Sequence, residues 1–217
     1  MALRELTARI SDDPALVSSL GKKRADLAVA EAAQPMVIAS IAGSGDRSPV
    51  VVVTATTSAA ERLTNDLETW LGTGNAQVFP AWETLPFERV SPGVETMGRR
   101  SRLLWQLRRG QAPKVIVVPV RALLQRVSPS SRSIEPATVR PGQQLVMEDF
   151  ISQLVDMGYR RDSQVEHRGD LAVRGSIIDV YPSTGSAPVR IDLWGDCLLY
   201  TSPSPRDATL SRMPSSA

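Results

Sequence analysis

The run Pro49-Val50-Val51-Val52-Val53-Thr54 decides the fold class of this chain. β-Branched side chains are stiff in a helix and pack well on a pleated surface, so the run reads as a strand. It shows no polar alternation, the pattern expected of a strand covered on both faces inside a parallel sheet. Downstream, Ser58 and Glu61 have capping-box spacing ahead of the helical pattern Leu63, Leu67, Trp70, Leu71, which Gly72 and Gly74 close. Residues 76–79, closed by Pro80, and 114–118 repeat the buried-strand pattern. A helix over 95–109 separates them, and another over 119–127 follows. Upstream, residues 2–20 read as one or two short helices, with Asp13-Pro14 as cap and first helical residue and Gly21 as stop. Residues 25–30 (ADLAVA) read as a short strand, and 35–42 as a helix opened by Pro35. Strands alternating with helices on short connections imply βαβ units and an open parallel sheet, an α/β domain expected over residues 1–127.

Beyond a Ser/Pro/Arg-rich linker at 128–133 the pattern changes. A helix over 148–157, stopped by Gly158, precedes three alternating strands near 163–168, 172–181 and 188–194. Val173, Ile177 and Val180 sit among polar neighbours, which indicates a sheet with one wet face and a small α+β domain over 128–196. From Cys197 the chain carries Pro203, Pro205 and many serines without periodicity, so residues 197–217 are expected to be disordered. This tail reads as translated adaptor or vector sequence, which would make the chain truncated; the alternative is a genuine disordered C-terminus. A native stop at Asp196 would leave the edge of the last strand unpaired.

With 217 residues and 42% hydrophobic content the chain can bury a real core. No window of about 18 apolar residues is present, so no membrane span is expected. The N-terminus lacks the apolar block of a secretory signal, and the single cysteine, Cys197, suits a reducing cytoplasm. The formal net charge of +2 does not mark a nucleic-acid binder. Arg99, Arg100, Arg102, Arg108 and Arg109 spread over more than one helix face and read as a solvated surface rather than a DNA-binding stripe.

Catalytic chemistry has no visible carrier. A phosphate loop needs Gly-x-x-x-x-Gly-Lys-Ser/Thr between strand and helix, whereas Gly43-Ser44-Gly45-Asp46 follows a helix, lacks the lysine and carries an acid. His167 has no cysteine or second histidine to share a metal, and Ser91-Pro92-Gly93 is no nucleophile elbow. No catalytic, cofactor or metal residues are therefore expected, and the chain reads as a partner-binding module rather than an enzyme. The segment 80–92 (PAWETLPFERVSP) holds aromatics between prolines and reads either as a plug on the sheet or as a binding loop.

The stretch FPAWETLPFERVSPGVETMGRR (79–100) resembles the N-terminal module of bacterial transcription-repair coupling factors (Mfd). So do residues 115–127 (VIVVPVRALLQRV), Gly158-Tyr159-Arg160, residues 169–182 (GDLAVRGSIIDVYP) and 188–196 (PVRIDLWGD), in the same order. The resemblance implies a UvrB-like fold: a degenerate helicase-like domain without its phosphate loop, followed by a small α+β domain that binds the damage-recognition ATPase UvrA. It places the UvrA contact on Arg174, Arg190 and Trp194; the competing reading is that Arg174 and Arg190 merely pair with Asp179 or Asp192 on a sheet surface. It also implies RNA polymerase and double-stranded DNA as partners of the parent protein, through downstream domains this chain lacks. A fragment of the UvrB-type ATP-dependent helicase subunit is the alternative.

Overall fold

The computed structural model describes residues 7, 10–44, 48–84, 91–127, 135–140, 142–195 and 197–203, the last stretch as backbone. The chain divides into two compact units, Met1–Ser91 with Leu103–Arg132, and Pro92–Arg102 with Ser133–Ala217.

In the first unit, helix α1 (Pro14–Leu20) starts as the sequence indicates. Asp13 Oδ1 accepts the Ala15 N–H at 2.8 Å, Pro14 occupies the first turn and Gly21 ends the helix. Residues 25–30 do not form the expected strand: they lack regular structure and lead into a 3₁₀ turn, Glu31–Ala33. Their alanines offer little apolar surface to bury against a partner, and Leu27 is left exposed. Helix α2 (Gln34–Gly43), opened by Pro35, then leads to strand β1 (Val50–Thr54).

Helix α3 (Thr57–Leu71) begins two residues earlier than the expected capping box. Thr56, in extended backbone, is the cap and its hydroxyl accepts the Ala59 N–H at 3.1 Å. In the run Thr56-Thr57-Ser58 each residue can cap, and the earliest one adds helical hydrogen bonds. Gly72 closes the helix at φ 91°, donating its N–H to Glu68 O at 2.8 Å. Strand β2 (Ala76–Val78), helix α4 (Val94–Arg108, of which residues 94–102 belong to the second unit), strand β3 (Val115–Pro119) and the short helix α5 (Val120–Leu124) follow. Helix α5 stops before the expected residue 127 because Gln125 turns to extended backbone. Its side-chain amide clamps the strand-following segment instead: Trp82 N–H donates to Gln125 Oε1 at 2.8 Å, and Gln125 Nε2 donates to Trp82 O at 3.3 Å. Residues 85–90 of that segment and the linker 128–133 lie outside the described residues.

The sheet is parallel with order β1-β3-β2, Val50 and Ala76 both standing opposite Val115. Only β3 is buried along its whole length. One face packs Val115 and Val117 against Ala39 and Ala42 of α2 and Ala60 and Leu67 of α3. The other packs Ile116 and Val118 against Leu103 of α4 and Ala122 of α5. The expectation that β1 is covered on both faces is corrected. Val50 and Val52 join the first core, but Val51 and Val53 are 54% and 52% exposed. As an edge strand, β1 lies beyond the cover that α4 and α5 give β3.

The second unit is a five-stranded sheet in the order β4-β5-β6-β7-β8, carried by helix α6 (Met147–Asp156). Its strands are β4 (Arg160–Arg161), β5 (Asp170–Arg174), β6 (Ile177–Val180), β7 (Val189–Trp194) and β8 (Cys197–Pro203). β4 and β5 are parallel and the remaining pairs antiparallel. Phe150 and Leu154 of α6 pack on Leu171, Ile178, Val180, Ile191 and Leu193, so one face of the sheet is the core.

Three expectations are corrected here. Residues 163–168 form no strand; they loop around the buried carboxylate of Asp170, which accepts the His167 N–H at 2.8 Å and the Glu166 N–H at 3.3 Å. Residues 172–181 are two strands, because Gly175 takes φ 60° and turns the chain. Residues 197–203 pair with β7 rather than being disordered, Ile191 standing opposite Thr201 and Val189 opposite Pro203. Ladder bonds are made by the backbone, so a tail of unpromising composition still covers the β7 edge expected to be open.

Candidate partner-binding face

Alternation along the strands sorts the second sheet into two faces. Leu171 and Val173, Ile178 and Val180, and Ile191 and Leu193 face the core, so Ala172, Arg174, Ile177, Asp179, Arg190, Asp192 and Trp194 face the other way. Arg174, Arg190 and Trp194, on which the sequence resemblance places the UvrA contact, therefore share one face. Register arranges them further. Arg174 stands opposite Ile177, and Ile177 opposite Asp192, in one row across the sheet. Ala172, Asp179 and Arg190 form the next row. Leu193 N–H donates to Ser176 O at 3.0 Å, which brings the end of β7, and with it Trp194, level with the β5–β6 turn.

The three residues differ in how they are held. Trp194 is 77% exposed, a large apolar surface that the chain leaves in water. Arg174 is exposed, and its Nη2 donates to Ser163 O at 2.9 Å; it meets no carboxylate among the described residues. Arg190 is half-buried and makes a forked pair: Nε donates to Asp179 Oδ1 and Nη2 to Asp179 Oδ2, each at 2.8 Å. These hydrogen bonds, with the charges of Asp179 and Asp192, outweigh burial and hold the Arg190 guanidinium above its ordinary value. An open hollow at the same end of the sheet is lined by Val146, Met147, Glu148, Leu193 and the backbone of Gly175 and Gly195.

Two features escaped sequence reasoning. Asp170 is nearly buried at the β4–β5 edge, where Arg160 Nη2 donates to it at 3.2 Å. Burial alone would raise its carboxyl, but the His167 and Glu166 N–H groups and the Arg160 guanidinium win, and it sits below the ordinary carboxylate value. Arg168 donates from Nη1 to Glu95 Oε2 at 2.9 Å and from Nε to Gly185 O at 3.1 Å, and lies 5.6 Å from the Tyr181 ring centroid. Gly169 beside it carries φ 88°, and a Cβ there would lie 2.9 Å from Val94 Cγ1. Only the Gly-Asp pair at 169–170 hints at this arrangement in sequence. His167 is exposed, with Nδ1 3.7 Å from Asp170 Oδ2. Of the helix α4 arginines read as a solvated surface, Arg100 is instead buried, which lowers its guanidinium from the ordinary value.

No group of three or more potential metal ligands occurs among the described residues. No helix among them is long and apolar enough to cross a membrane.

The family model of the UvrB interaction domain matches residues 138–199, which span α6 and β4 to β7 and enter β8. All three residues of the outward face fall inside that match, which also runs past Asp196. Over 170 residues, 76% of this chain, the sequence is 38% identical to the transcription-repair-coupling factors of Mycobacterium bovis and Mycobacterium tuberculosis. It is 38% identical over 116 residues, 53% of this chain, to that of Escherichia coli K12. The chain is a relative of the transcription-repair coupling factors. It is consistent with an N-terminal module of such a factor, with its UvrB interaction domain in the second unit. It spans 14% of the length of the mycobacterial relatives and 10% of the Escherichia coli one.

Proposed function

We propose that this module is a non-catalytic adaptor that binds UvrA through the outward face of its second sheet, with Arg174, Arg190 and Trp194 as the contact residues. Within the parent protein it recruits excision repair to RNA polymerase stalled on double-stranded DNA, contacts that belong to regions this chain does not span. The observation that carries the reading is the register of β5, β6 and β7, which leaves two arginines and a water-exposed tryptophan on one face of the sheet. Arginine and tryptophan are the residue types that dominate binding hot spots, each costing about 2 kcal/mol or more when truncated.

The test is a pull-down of UvrA by the full chain. Arg174→Ala and Arg190→Ala each retain much less UvrA while their circular dichroism spectra match the wild type. Retention of UvrA by both variants at the wild-type level overturns the reading. The first unit, whose sequence has no Gly-Lys-Ser/Thr loop, acts as a scaffold in this reading and takes up no adenine nucleotide.

A further inference from the structure

We propose that Asp179 is a positioning residue for partner binding: it fixes the Arg190 guanidinium so that its remaining N–H edge is presented to an acceptor, of carboxylate type, on the docking protein. This rests on the UvrA-binding reading above. An arginine side chain on a sheet surface samples many rotamers, and ordering it on binding costs affinity. Asp179 removes that cost in advance. It stands directly opposite Arg190 in the β6–β7 ladder and takes Nε and Nη2 in a planar fork, each bond 2.8 Å. Its side chain is only 11% exposed against 28% for that of Arg190, so the carboxylate is the more buried member of the pair. On its other side Asp179 faces Ala172, which has no polar group to compete for the carboxylate.

The fork leaves both Nη1 hydrogens and one Nη2 hydrogen unused by Asp179. A planar guanidinium donates bidentately, so that free edge suits a carboxylate better than a neutral acceptor. Arg174 stands on the same face in the neighbouring row and pairs with no carboxylate among the described residues. Asp192, the outward neighbour of Arg190 along β7, is opposite Ile177 and makes no part of the fork. The two arginines thus differ in kind: Arg174 is a loosely tethered charge, Arg190 an aimed one.

The experiment is a titration of the full chain, wild type and variants, against purified UvrA. Asp179→Asn keeps the shape and loses the charge and half of the fork; it binds UvrA about tenfold more weakly. Asp179→Glu, which restores a carboxylate, recovers part of that loss. The decisive readout is the double variant: once Arg190→Ala is present, Asp179→Asn changes the affinity no further, an outcome that a general loosening of the sheet would not give. Wild-type or tighter binding by Asp179→Asn, with Arg190→Ala still impaired, overturns the positioning role and leaves the docking face standing. An additional loss in the double variant also overturns it. Undiminished binding by Arg190→Ala and Arg174→Ala removes the docking face itself.

Discussion

The two sheets of this molecule solve the same burial problem in opposite ways. In the first, β3 is covered on both faces, and its five residues are apolar or proline throughout. In the second, α6 covers one face, and the other, on which Ala172 and Asp179 are also buried, carries an aspartate–arginine fork, a tethered arginine and a bare tryptophan. A strand covered on both faces, as β3 is, offers neither face to a partner. A singly covered sheet has a rigid, pleated face whose side-chain spacing is set by the ladder, which is what a docking surface requires. The comparison assigns stability to one side of the second sheet and recognition to the other.

That division predicts the largest effect on the core side. Leu171 is fully buried beneath α6, and Leu171→Ala should destabilise the second unit by about 2–5 kcal/mol, read as a lowered denaturation midpoint. A loss no larger than that of an exposed residue would break the comparison.

An intermediate effect belongs to the edge. The folded-state value of Asp170 lies below its ordinary 3.8, so its contribution is complete above that value and disappears as pH falls through the lower, folded one. Asp170→Asn should cost about 1–3 kcal/mol at neutral pH, and should flatten the fall of stability below about pH 4. Equilibrium unfolding across pH 2–7, measured with about half-unit steps, checks both. An unchanged acid limb would show that the carboxylate is not held as described.

Much of this was legible in the sequence, for identifiable reasons. Asp13-Pro14, Pro35, Gly72 and Gly158 mark helix ends through backbone constraints that act locally, and the structure uses each of them. The strand positions β1, β2 and β3 follow from β-branched and apolar runs. What local pattern does not encode is a strand's place in the sheet. Val51 and Val117 sit in similar runs, yet one is at an edge and half-exposed and the other is central and buried. The Gly175 turn inside 172–181 shifts the core-facing positions from Leu171 and Val173 to Ile178 and Val180, a shift that the apolar but outward-facing Ile177 masks in the sequence. Strand β8 was hidden because pairing depends on the neighbouring β7 edge, not on the composition of residues 197–203. For the outward face, the resemblance supplied Arg174, Arg190 and Trp194, and the sequence offered Asp179 or Asp192 as partners for the arginines; the common face, and the choice of Asp179 for Arg190, needed the register.

The smallest effect on stability and the sharpest effect on function should meet at Trp194. Being 77% exposed, it contributes little to the fold, and Trp194→Ala should shift the denaturation midpoint by no more than about 0.5 kcal/mol. Calorimetric titration of UvrA against wild type and Trp194→Ala therefore separates recognition from folding in a single comparison. The account predicts an affinity reduced by about 2 kcal/mol, or roughly thirtyfold, with the melting transition in place. Equal affinity for the two proteins would contradict it.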